Sequence, residues 1–67
     1  MTVKMELIEV INRLESNGIQ VLVTMLNGSF NQINCCDNPR IGFSTWFEVN
    51  EDETVDVDED FSEYYPN

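Results

Sequence analysis

Apolar residues recur at helical spacing near the N terminus. Val3, Leu7, Val10, Ile11 and Leu14 follow the i, i+3, i+4 rule and form one stripe. Lys4, Glu6, Glu9, Arg13 and Glu15 fall largely on the other side. The pattern predicts an amphipathic helix over residues 3–16, with Thr2 as its N-cap and Gly18 as its C-terminal cap.

The period then changes from helical to alternating. Ile19, Val21, Val23 and Met25 share one face of a strand over 19–26, in a stretch rich in β-branched residues. Leu22 and Leu26 fall on the opposite face, which suits a strand that is central or covered on both sides. Asn27-Gly28 follows, and both residues tolerate positive φ, so a tight hairpin turn is expected. The return strand spans 29–36, with Phe30, Ile33 and Cys35 as its main apolar positions. Asp37-Asn38-Pro39-Arg40 reads as a turn, because proline cannot donate to a ladder. A third strand is expected over 41–49. In it Ile41, Phe43, Phe47 and Val49 belong to the core side, and Trp46 points away from Phe43 and Phe47.

After Val49 the polarity shifts. Val55-Asp56-Val57-Asp58 alternates, so a short fourth strand is expected with valines inward and aspartates outward. The end, from Glu59 to Asn67, fits strand, a helical turn or a frayed tail. The fold class is therefore α+β: one N-terminal helix packed on a three- or four-stranded antiparallel sheet, helix first and strands after. Residues 1–50 form the helix-and-sheet core, and residues 51–67 an acidic segment of the same single domain. The expected core is Leu7, Val10, Ile11, Leu14, Ile19, Val21, Val23, Ile33, Phe43, Phe47 and Val49.

Composition changes the picture through charge. Against Lys4, Arg13 and Arg40 stand 13 acids, giving a formal net charge of -10 in 67 residues. Such self-repulsion destabilises a compact state and calls for a reason. Direct binding of nucleic acid, driven by Lys and Arg neutralising phosphates, is not expected. An anionic membrane surface would repel the chain likewise. A basic protein surface or a divalent cation is the natural complement.

The excess has an address. Residues 48–67 hold nine acids and no basic residue: Glu48, Glu51, Asp52, Glu53, Asp56, Asp58, Glu59, Asp60 and Glu63. In extended chain, Asp56, Asp58 and Asp60 lie on one edge about 6.6 Å apart, against a phosphate every ~3.4 Å along each strand of duplex DNA. Phe61, Tyr64 and Tyr65 add flat rings of the kind that nucleic-acid sites stack against. The segment reads as a polynucleotide mimic that occupies the basic groove of a DNA- or RNA-binding protein. The ordinary alternative is a solvated acidic face or tail.

Other chemistries are poorly served. Asp56, Asp58 and Asp60 match the first three ligand positions of a calcium loop. Phe61 then stands where its glycine belongs, and Asn67 where its bidentate glutamate belongs. Cys35 and Cys36 are adjacent, unsuited to bridging each other, and have no histidine to complete a zinc site. They read as a small core residue and a part-exposed neighbour. No cofactor or metal is expected. Catalysis is not expected either: there is no histidine and no phosphate-binding glycine loop. A chain this short also leaves little room for a pocket of the usual ~300 Å³ or more.

No signal-peptide pattern and no apolar run of spanning length stands in the sequence, so the expected location is the cytoplasm. In size, acidity and lack of catalytic groups the chain is similar to the small inhibitors that phages and mobile elements encode against host nucleic-acid machinery. The likeness is one of composition and transfers no residue roles. It implies an anti-defence or regulatory role in a host-cell cytoplasm, against a nuclease, a restriction or CRISPR effector, a polymerase or a nucleoid protein. The expected partner-binding residues are the nine acids of 48–67 with Phe61, Tyr64, Tyr65 and Trp46. Two alternatives stand beside this. One is a non-mimic interaction module, an antitoxin or adaptor, binding through an apolar patch at Trp46 or Leu22/Leu26. The other is a structural homo-oligomer paired through an edge strand. Either a monomer or a homodimer fits the sequence.

Overall fold

The computed structural model describes residues 1–36 and 45–67. Its order is β1 (Thr2–Glu6), α1 (Leu7–Ser16), β2 (Gln20–Leu26), β3 (Ser29–Cys36), β4 (Thr45–Glu48), β5 (Thr54–Asp58) and α2 (Phe61–Tyr64). The class is α+β with antiparallel strands, but the helix does not come first. Thr2, expected as its N-cap, and residues 3–6, expected at its start, form a strand. Val3 pairs with Val57 and Met5 with Val55, so both β1 residues face the core side of β5. Long-range pairing with the alternating segment 54–58 overrides the helical spacing of Val3, which is also compatible with a strand.

The strands form two small sheets, β1-β5 and β2-β3-β4. Among the described residues an antiparallel bridge, Val49 to Val55, couples them. Because the chain enters through β1, the acidic β5 lies beside the N-terminal strand and not at a free end. β2 is an edge strand of its sheet, contrary to the central position its two-sided apolar pattern suggested. Leu22 and Leu26 are exposed.

Helix α1 starts at Leu7 because Glu6 is extended (φ -60°, ψ 139°) and because the Leu7 N–H donates to the Glu53 carbonyl at 3.0 Å. Thr2 is thus not its N-cap; a main-chain carbonyl of the β4–β5 turn satisfies one of the orphan donors instead. The other end follows expectation. Gly18 has φ +79°, its N–H reaches the Glu15 carbonyl, and the Ile19 N–H reaches the Leu14 carbonyl. That is a Schellman motif, with Leu14 and Ile19 both buried beside it.

The Asn27-Gly28 turn has both φ positive (52° and 81°), as a two-residue hairpin turn of this hand requires. A bulge follows. Thr24 pairs with Gln32 but Met25 pairs with Phe30, leaving Asn31 as the extra residue. Phe30 and Ile33 differ in parity and could not share a face of a regular strand. The bulge resolves this by turning Phe30 toward the α1 side.

The core consists of Leu7, Val10, Leu14, Ile19, Ile33, Cys35, Val55, Val57 and Phe61, with Met5, Ile11, Val21, Phe47, Val49 and Tyr65 packed against it. Val55 and Val57 face inward as their alternation predicts, and the Cys35 side chain is buried. Of the expected core, Val23 is half-buried. The expectations for residues 37–44, including the turn at Pro39 and core roles for Ile41 and Phe43, lie outside the described residues. So does the side chain of Cys36.

Candidate acidic partner-binding surface

The acidic segment is built into the fold from both ends. At its start, Asn50 to Glu53 make a tight turn: the Glu53 N–H donates to the Asn50 carbonyl at 3.0 Å, and the Asn50 N–H to the Thr54 carbonyl at 2.8 Å. Glu53 takes φ +60°, a left-handed conformation that side chains other than Asn and Gly rarely adopt. Its carbonyl is the acceptor that caps α1, which fixes the turn against the helix. Inside the turn, the Thr54 hydroxyl donates to Asp52 Oδ1 at 2.6 Å, and the Thr54 N–H donates to the same oxygen at 3.3 Å. Hydrogen bonding from the Thr54 hydroxyl, then the nearby Lys4 ammonium, holds the Asp52 carboxyl below its ordinary value of 3.8.

The middle is β5. Its inward valines are fully covered, so Asp56 and Asp58 stand outward on a strand paired along its whole length with β1. Five extended residues span about 17 Å, which sets the length of this part of the ridge. Lys4 lies directly across from Asp56 and ion-pairs with Asp52 at 3.6 Å. Both partners are more than half exposed, so the pair contributes little stability. Its effect is to interrupt the acidic face. The ridge divides into a turn group (Glu51, Asp52, Glu53) and a group at the far end (Asp58, Glu59, Glu63).

The far end is docked, not frayed. Phe61 is 5% exposed and makes an edge-to-face contact with Phe47, ring centroids 6.0 Å apart. Tyr65 packs on Phe61 with the rings tilted by 45° and their centroids 4.9 Å apart. Arg13 Nη1 donates to the Tyr65 carbonyl at 3.1 Å and Asn17 Nδ2 to the Pro66 carbonyl at 2.8 Å. Arg13 also pairs with Glu9 at 3.2 Å, one helical turn away. Both basic side chains among the described residues are thereby engaged within the molecule. Asp56, Asp58, Glu59 and Glu63 have no ion-pair partner among the described residues.

Two expected site residues change role. Phe61 is a core residue, and its ring is not presented to a partner. Tyr65 is half-buried on it, leaving Tyr64 as the exposed ring of the C-terminal segment. The straight run Asp56–Asp58–Asp60 also ends early. The strand stops at Asp58, and Asp60 turns the chain into α2, where its carbonyl accepts from the Glu63 and Tyr64 N–H groups. Glu48 and Trp46 sit on the outer face of the three-stranded sheet. There Trp46 pairs with Asn34, which pairs in turn with Leu22. Trp46 is 54% exposed and Leu22 60%. Phe47, the next residue, faces the core, as the alternation around Trp46 predicts.

The structure also assembles a feature absent from the sequence reading. A groove of about 340 Å³ opens between α1, the β2–β3 hairpin and the β4–β5 turn. Ile8, Ile11, Val23 and Phe30 line it, and Glu6, Asp52 and Glu53 stand at its rim. Its signals in the sequence were Ile8, off the core stripe of α1, and the parity mismatch of Phe30.

Among the described residues no group of three or more Asp, Glu or Cys side chains is arranged to hold a metal ion. No helix there is long and apolar enough to cross a membrane. No family model, curated protein or solved structure matches this chain.

Proposed function

We propose that this protein is a non-catalytic acidic inhibitor that binds the basic, nucleic-acid-binding surface of another protein. The acids of 51–63 stand in for a polynucleotide backbone. The observation that carries the reading is the anchoring of the acidic segment. β5 is paired with β1 throughout, Phe61 is buried, and Arg13 and Asn17 hold the Tyr65 and Pro66 carbonyls. A solvated tail would not bury an aromatic anchor or spend a chain's scarce basic residue on its own C-terminal main chain. Rigid carboxylates lose little conformational entropy on binding, and opposite charge speeds encounter. Host nucleases, restriction or CRISPR effectors, polymerases and nucleoid proteins are the target classes, with the host-cell cytoplasm as the site of action.

The test begins with capture of the target at low salt and release by salt steps. Replacing Asp56, Asp58, Glu59 and Glu63 by Asn or Gln removes four exposed charges. At the ordinary worth of exposed pairs this costs about 1–4 kcal/mol, a factor of roughly 5 to 900 in affinity. DNA or RNA should compete directly for the target. A ternary complex of target, polynucleotide and this protein would rule mimicry out.

The outer sheet face supports a second reading, in which Trp46 and Leu22 carry affinity and the acids supply solubility. Exposed tryptophan is enriched among binding hot spots. In that case Trp46→Ala abolishes binding and the four neutralisations leave it nearly intact.

A further inference from the structure

We infer that the groove between α1 and the two turns is an anchor site for a basic amphipathic segment of the partner, one apolar side chain flanked by Lys or Arg. This rests on the reading of the protein as the acceptor of a basic partner, and it adds a point of specificity that charge alone lacks. The floor is apolar: Ile11 and Val23 are half-buried, while Ile8 is 63% and Phe30 39% exposed. Its rim is acidic, from Glu6, Asp52 and Glu53, of which Asp52 alone is ion-paired among the described residues, with Lys4. An apolar side chain fills the floor, and flanking ammonium or guanidinium groups reach the rim while their methylene stems cover Ile8 and Phe30. A second copy of this chain is a poor occupant, because it brings a charge of -10 against -10. Main-chain hydrogen bonds tie the turn segment to its neighbours, Leu7 N–H to the Glu53 carbonyl and Val49 N–H to the Asn31 carbonyl. The Glu53 carbonyl caps α1 at Leu7, and the bulge at Asn31 turns Phe30 inward, so the site is preformed.

The experiment is an NMR titration of the full, isotope-labelled chain with two synthetic peptides, Arg-Arg-Leu-Arg-Arg and Arg-Arg-Gly-Arg-Arg, in about 20 mM salt, where screening is weak. The leucine peptide is expected to bind about tenfold more tightly, as partial burial of one such side chain implies. It should shift the methyls of Ile8, Ile11 and Val23 and the ring of Phe30 along one binding curve. Ile8→Asn, at an exposed position, should erase the preference for leucine while leaving the fold intact. Equal affinity for the two peptides, with shifts at Asp56, Asp58 and Glu63 but not at the groove, overturns the anchor site and leaves the acidic-surface reading standing. The absence of any shift with either peptide overturns both.

Discussion

Asp52 concentrates several roles in one exposed carboxylate. It accepts from the Thr54 hydroxyl and main chain, pairs with Lys4 and stands at the groove rim. Its lowered pKa has a definite sign for stability. The folded state prefers the charged form more than the unfolded state does. The contribution is therefore complete above the ordinary value of 3.8 and lost as pH falls through the lowered folded value. The largest cause is the Thr54 hydroxyl, so Thr54→Val should raise the Asp52 pKa toward 3.8 while Lys4 and the main-chain N–H remain. A carbon-detected NMR titration of the Asp52 side chain reads this directly. An unchanged midpoint in the variant would assign the shift to Lys4 instead. Leu22 and Trp46 are apolar, yet each is more exposed than covered, because its strand parity opposes the core.

At the scale of elements, the C-terminal segment decides how the acids behave. α2 is a single turn, far too short to be stable alone. It persists because Phe61 packs on Phe47 and Tyr65 packs on Phe61. Phe61→Ala should therefore cost about 3–5 kcal/mol, the usual loss for a buried phenylalanine. A domain of this size has only about 3–10 kcal/mol in total. Urea denaturation should show a large drop in midpoint, with Phe61→Leu far milder. A Phe61→Ala variant as stable as the parent would mean that residues 61–67 are peripheral and that the acidic end is not held. Helix α1 illustrates the same dependence from the other side. Its C-terminus is encoded locally by Gly18, while its N-terminus relies on a carbonyl 46 positions away in sequence, Glu53.

For the whole molecule, charge opposes the fold. A net charge of -10 on 67 residues gives a self-repulsion that two engaged cations among the described residues do not offset. Salt screens that repulsion. Raising NaCl to about 0.5 M should lift Tm by about 4–8 °C, the shift that about 1 kcal/mol produces in a domain this small. The same salt should weaken a complex held by the acidic ridge. Opposite responses of stability and binding to one variable are a signature of charge retained for partner recognition. A Tm that falls or stays level in salt would mean that repulsion is not a significant term.

The sequence by itself determined the features whose cause is local. The Gly18 cap and the Asn27-Gly28 hairpin follow from backbone freedom at those residues. The inward valines of β5 follow from two-residue alternation, and the acidic stretch from composition. Tertiary structure alone decided the rest, because the cause lies in a distant partner. Val3 and Met5 join a strand since Val57 and Val55 lie across from them. Phe61, which reads locally as a ring among acids, becomes core since Phe47 lies behind it. Lys4 divides the acidic ridge since β1 lies beside β5, and Phe30 lines one groove with Ile8 and Ile11 since a bulge reverses its face. Periodicity reports which faces a segment can bury; only long-range pairing selects which of them it does.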